Sequence, residues 1–261
     1  MLNRTRPIFS SRDNKIFLDI PERYAELTQR QLRYVLFLLL NYPPIKVKTF
    51  FIMRVGGITV QKRVHDGWLC SIRERWWKPR KWFTVRTESI VDITHKCDWI
   101  DDYERLNTRL VTVNGFRAVD TDLHGVSFED YLNLEGLYQM FLQKRDDGLL
   151  LKMAQYLYRD RKGNKALKIK CNEVEKFGCF VWWIYVKSYF AKCFPNFFRK
   201  AEAADGEEYD VMAAVNAQIR ALTDGDITKE REVLSKECWR ALTELDAKAR
   251  ESEEYKRKYG K

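Results

Sequence analysis

Between residues 62 and 86, cations and indole rings share one short stretch. Lys62, Arg63, Arg73, Arg75, Lys78, Arg80, Lys81 and Arg86 stand against only Asp66 and Glu74, with Trp68, Trp76, Trp77, Trp82 and Phe83 set among them. Cations neutralise phosphates and aromatic faces stack on unpaired bases, so this mixture could hold single-stranded nucleic acid. The residues that would do so are Arg73, Arg75, Trp76, Trp77, Lys78, Arg80, Lys81 and Trp82. Two other readings stay open. A surface hairpin could turn its tryptophans inward and leave the basic heads solvated, and this is the first expectation. A protein contact surface would use the same residues, since Trp and Arg dominate binding hot spots. The three differ in whether the tryptophans of residues 76–82 face water or the core.

Other chemistry is thin. His65, His95 and His124 are far apart, and only His95 has a nearby cysteine, Cys97. Zinc needs three or four ligands, usually in close pairs, so no metal site is expected and each histidine is given a structural role. There is no nucleophile elbow, no glycine-rich phosphate loop and no H-E-x-x-H helix. Asp98, Asp101 and Asp102 flank Trp99, and could hold a divalent ion only with ligands from elsewhere. Next to a helix start they would serve the macrodipole, which is the expectation here. The chain is read as a non-enzyme without a cofactor.

The 261 residues are 45% hydrophobic and 14% aromatic, enough for a real core and too apolar for global disorder. A formal charge of +10 suits an anionic partner, though charge also serves solubility alone. Cys70, Cys97, Cys171, Cys179, Cys193 and Cys238 lack C-x-x-C spacing and read as reduced, buried small hydrophobes. The opening MLNRTRPIFSS has no apolar signal core. Residues 32–40 are too short to cross a bilayer, and residues 173–198 carry Lys187 and Lys192, so no membrane contact is expected.

The elements that must position these residues follow from periodicity. Residues 173–198 hold Phe177, Phe180, Trp182, Trp183, Tyr185, Tyr189 and Phe190, and are apolar around most of a helix, as in a segment buried on several sides. Pro195 ends it. Before it, residues 15–20 read as a strand, Thr28 caps a helix through residue 42, and residues 45–55 form a second helix ahead of Gly56 and Gly57. Residues 58–119 turn to short β-like runs, with Asn114-Gly115 as a hairpin turn. Ser127, with Asp130 three residues on, opens a further helix, and residues 149–158 add another. Residues 159–170 form a basic loop.

The expected fold is therefore α+β, mainly α: a helical core around the aromatic helix, a small β-rich middle segment and a C-terminal helical hairpin. Its domains would be residues 1–200, with the β insertion at about 58–119, a linker at 201–208, and the hairpin at 209–261. The seam Met212, Val215, Ile219, Leu222 steps by three and four, and one continuous last helix over residues 228–258 places Leu234, Trp239, Leu242 and Leu245 nearby.

The order IPERYAELTQRQLRYVLFLL, VSFEDYLNLEGLYQMFLQ, LLLKMAQYLYR, GCFVWWIYVKSYFAKCFPNFF and NAQIRALTDGDITKEREVLSKECWRALTELDAKA resembles uncharacterised proteins of prophage tail modules in gut bacteria. The resemblance implies a tail-assembly or virion-associated, chaperone-like protein. It would act in the host cytoplasm during assembly, with tape-measure or tube-type tail proteins as partners. It carries no catalytic residues, and residues 58–119 contribute little to it. The contact with a partner helix would use Met212, Val215, Ile219, Leu222, Leu234, Trp239, Leu242 and Leu245.

Overall fold

The computed structural model describes residues 9–11, 14–16, 18–73, 77–199 and 211–259. It is α+β and mainly α, as expected. Its contacts divide the chain into two units, Met1–Arg105 and Leu106–Lys261. The division falls inside the segment expected as a β insertion, so that segment is shared between two cores. The linker expected at 201–208 lies outside the described residues.

In the first unit, strands β1 (Phe9–Ser11) and β2 (Asn14–Ile16) form a two-stranded ribbon. Helix α1 (Gln29–Asn41) begins with a capping box: the Thr28 hydroxyl accepts the Gln31 amide, and the Gln31 side chain returns to the Thr28 amide. It buries Leu32, Val35, Leu36 and Leu38 and ends where Pro43 cannot continue it. Helix α2 (Pro44–Val55) uses proline at its first turn, where no amide is needed. Strands β3 (Ile58–Val64), β4 (Gly67–Ile72) and β5 (Lys81–Arg86) then form an antiparallel sheet in that order. Helix α3 (Thr87–His95) returns across it. Tyr24, Phe51 and Trp99 meet edge to face in the core, with Trp99 4.8 Å from Tyr24 and 5.8 Å from Phe51.

In the second unit, the Asn114-Gly115 turn joins β6 (Thr112–Val113) to β7 (Phe116–Ala118), and both turn residues sit at positive φ, 48° and 82°. Helix α4 (Phe128–Lys144) is followed by α5 (Asp147–Leu157), β8 (Tyr158–Arg159) and α6 (Glu173–Cys193). Ser127 caps α4 as expected, but Asp130 does not complete a box. Its carboxylate is buried and meets Arg159 and Lys165 instead. Helix α6 is buried along Val181, Trp182, Trp183, Val186 and Phe190, and packs against α5. Glu135 of α4 accepts the Trp183 indole N–H and pairs with Lys187.

The end of the chain differs from the continuous helix expected over residues 228–258. Helix α7 (Val211–Thr223) is followed by a short α8 (Glu230–Ser235) and a separate α9 (Cys238–Tyr259). The break has a backbone cause. The Phe128 amide donates to the Lys236 carbonyl, and the Cys238 amide to the Val126 carbonyl, so Glu237 bridges Ser127 in extended form. Helix propensity at Lys236 and Glu237 yields to two long-range hydrogen bonds.

Asp246 of α9 clasps the end of α6, accepting the amides of Asn196 (2.7 Å) and Phe197 (2.9 Å) and the Asn196 side-chain amide (2.9 Å). Partial burial disfavours its charge, yet these hydrogen bonds outweigh that and hold the carboxyl below its ordinary value. A lowered pKa contributes stability that is present above the unfolded value, about 3.9, and lost as pH falls through the folded one. Asp246→Asn is therefore expected to lower the melting temperature at pH 7 and to flatten its decline below about pH 4. An unchanged acid slope in that variant would refute the assignment.

Candidate nucleic-acid interface

The sheet of the first unit has two unlike faces. Along β5, Phe83 and Val85 are buried while Trp82, Thr84 and Arg86 are exposed, the alternation of a strand with one covered side. Registration carries this across the sheet. Phe83 lies opposite Cys70, which lies opposite Val60; Trp82 lies opposite Ser71, which lies opposite Thr59. A register shift between Val60 and Lys62 marks a bulge, after which Lys62 pairs with Leu69. Lys62 is thereby brought to the Trp82 face. Gly67 allows β4 and β5 to pair closely, because a Cβ there would fall 2.0 Å from the Val85 carbonyl oxygen.

The inner face closes on α2 and α3 around an apolar cavity of about 430 Å³, lined in part by Phe50, Met53, Val60, Trp68, Ile90 and Ile93. At its edge the Arg63 guanidinium lies 5.8 Å over the Trp68 ring. Cys70 lines this side, and burial raises its thiol pKa, so it stays a protonated small hydrophobe.

The outer face and the β4–β5 connection carry the basic tryptophan stretch. Trp82 is 52% exposed and Trp77 59% exposed. Arg73, Lys78 and Arg80 are exposed and Lys81 is half-buried. Arg75 and Trp76 lie outside the described residues. The expected inward-facing hairpin is thus corrected for Trp77 and Trp82: among the described rings of the stretch only Phe83 and, in part, Trp68 turn inward. The reason is the strand period, which sends Trp82 and Phe83 to opposite faces.

Charge is distributed as unevenly as the rings. Residues 1–105 hold 20 Lys and Arg against 12 Asp and Glu, whereas residues 106–261 hold 27 against 25. Of the net +10, +8 therefore belongs to the first unit. Within it, residues 54–86 alone carry nine cations against Asp66 and Glu74. No carboxylate occurs from Trp77 to Arg86.

The eight hairpin residues expected to contact a partner are placed differently. Leu242 and Leu245 are buried in the second unit. Trp239 packs 5.3 Å from both Phe190 and Phe194, and its indole N–H donates to the Asp122 carbonyl at 2.6 Å. Val215, Ile219, Leu222 and Leu234 are half-buried, and Met212 alone is largely exposed. The hairpin packs along α4 and does not stand apart from the unit. Its a/d-like spacing marks a seam, and that seam faces this chain's own helices.

The remaining candidates also find partners within the chain. Asp98 and Asp101 sit in a short 3-10 turn and pair with Lys48 of α2, Asp101 at 2.6 Å, so Lys48 and not a helix end accounts for them. His95 contacts Asp98 at 3.0 Å, and His124 stacks on Trp239 at 4.6 Å. Burial raises the thiol pKa of Cys171 to about 11 and of Cys97 and Cys238 to about 12. These sulfurs are thiols, not thiolates, at neutral pH. Among the described residues no three His, Cys, Asp or Glu side chains gather as metal ligands, and no helix is long and apolar enough to cross a membrane.

Strand β4 was not expected from the sequence. GWLCSI places Trp68, Leu69 and Cys70 in a row, so it shows no alternation, and it buries Cys70, Ser71 and Ile72 in succession. No protein family, curated protein or solved structure matches the chain.

Proposed function

We propose that the first unit binds single-stranded nucleic acid on the outer face of its β3–β4–β5 sheet and the adjoining β4–β5 connection. The observation that carries this reading is the exposure of Trp77 and Trp82 on the part of the molecule that holds nearly all its excess positive charge. In this reading Arg73, Lys78, Arg80 and Lys81 neutralise backbone phosphates and the two indoles stack on unpaired bases. A duplex hides its base faces, so single strands are favoured. Arg75 and Trp76 belong to the same stretch of sequence and lie outside the described residues.

The test is a salt titration with a fluorescent oligothymidylate. Each phosphate neutralised on a single strand contributes about −0.7 to the slope of log K against log salt, so four contacts give a slope near −3. The charge-reversed pair Arg80→Glu and Lys81→Glu should flatten it to about −1.5 or a shallower value. Affinity indifferent to salt, or no binding at 20 mM salt, would count against the proposal.

A second reading, a tail-assembly protein covering tape-measure or tube components, rests on the resemblance of the sequence. The packing withdraws Leu242, Leu245 and Trp239 from its contact set. What supports it is apolar surface that the packing leaves uncovered, with Met212 67% and Ile227 79% exposed. Co-purification with tail proteins that survives Met212→Asp and Ile227→Asp would exclude this surface.

A further inference from the structure

The basic loop after β8 has no part in the proposed interface, yet it holds an unusual charge arrangement. Arg117 of β7 lies directly opposite Arg159 of β8, and Arg159 forms an antiparallel bridge with Lys165 on its other side. Three cations thus form one cross-strand row. Side chains directly opposite in antiparallel strands have Cβ atoms roughly 4.5–5.5 Å apart, and like charges there repel. A sheet three strands wide does not place three cations abreast without something negative nearby.

One carboxylate answers part of this. Asp130, with its side chain 5% exposed, receives Arg159 at 2.9 Å and stands 2.5 Å from Lys165. The Lys165 contact is a charge contact without hydrogen-bond geometry at Asp130 Oδ1. Arg117 is left over, and so is Arg161 in the turn that follows. Neither has an ion-pair partner among the described residues.

Arg117, Arg159 and Arg161 line one cavity of about 640 Å³ together with Thr112, Gly115 and Gly163. Asp160 also borders it, but its carboxylate is committed to its own turn. Oδ1 accepts the amides of Lys162 (2.8 Å) and Asn164 (2.9 Å), and Oδ2 the Asn164 side chain (3.1 Å). Gly115 and Gly163, at φ 82° and 86°, each face open space where a Cβ would sit, so the rim is not blocked by side chains at either turn. Four cations, Arg117, Arg159, Arg161 and Lys165, are balanced by two carboxylates, Asp130 and Asp160. The deficit is two negative charges.

We infer that this cavity binds a phosphate group, as inorganic phosphate or the terminal group of a small phosphomonoester, with Arg117 and Arg161 as its main ligands. Guanidinium forks match tetrahedral oxyanions in bidentate geometry. Arg159 is held in place by Asp130 and presents its charge from behind. The site lies wholly in the second unit and does not depend on the interface proposed for the first.

Calorimetric titration of the full chain with inorganic phosphate and with glycerol 3-phosphate, at constant ionic strength set by chloride, tests this. Saturable binding of one equivalent is expected, weakened about tenfold to a hundredfold by Arg117→Gln and by Arg161→Gln, and unchanged by Lys258→Gln on the exposed end of α9. Affinity should rise with pH through about 6 as the second phosphate proton leaves. Circular dichroism melting of the variants separates lost binding from lost fold. Absence of saturable binding in a titration carried into the millimolar range of phosphate overturns the inference, as does binding that both glutamine variants retain. Displacement of phosphate by oligothymidylate with unchanged affinity in Arg117→Gln would also overturn it.

Discussion

Replacing Trp77 and Trp82 together by alanine is expected to weaken oligothymidylate binding at least about 30-fold, since each base–aromatic stack is worth roughly 1–3 kcal/mol. The effect should appear in affinity and leave the salt slope unchanged, because stacking releases no counterions. Both rings are more than half exposed, so their loss removes little buried surface and the melting temperature should stay nearly constant. Phenylalanine at both positions should restore part of the affinity. A double alanine variant that binds as tightly as the parent would end the nucleic-acid reading, and with intact folding it would turn attention to protein partners. The same pair thus separates the two surviving uses of this surface.

The largest stability effect is expected at Trp182. It is 1% exposed in α6, donates its indole N–H to the Thr121 carbonyl at 2.9 Å, lies edge-on to Tyr158 at 6.4 Å and carries the Arg109 guanidinium at 5.6 Å. Trp182→Ala removes the transfer energy of the ring, leaves a cavity and orphans a carbonyl acceptor, which together cost about 3–5 kcal/mol. In a unit of this size that lowers the melting temperature by roughly 10–15 °C. Trp82→Ala removes the same ring from the outward sheet face and should move it by only a degree or two. Equal shifts for the two variants would mean that the burial assigned to α6 is wrong.

Helix α6 was readable because a 21-residue run apolar around most of its circumference is buried on several sides. The Thr28 cap, the Ser127 cap, the Asn114-Gly115 turn and strands β3 and β5 were readable because each is a local preference of a few residues. Strand β4 was not, since Trp68, Leu69 and Cys70 follow one another without the alternation that marks a strand. The break at Lys236 and Glu237 was not, because its cause lies more than a hundred residues earlier, at Val126 and Phe128.

By itself the sequence determined a mainly helical α+β chain, the aromatic helix as an interior element, and a dense mixture of cations and indoles in residues 62–86. Only the tertiary structure decided which rings face water, because that depends on the register of β5 against β4 and on the helices covering one side of the sheet. It alone turned the hairpin seam inward onto α4, and set Arg117, Arg159 and Lys165 in one row. Periodicity along a chain fixes which side chains share a face. What that face meets is fixed by contacts between residues far apart, and no local pattern carries that information.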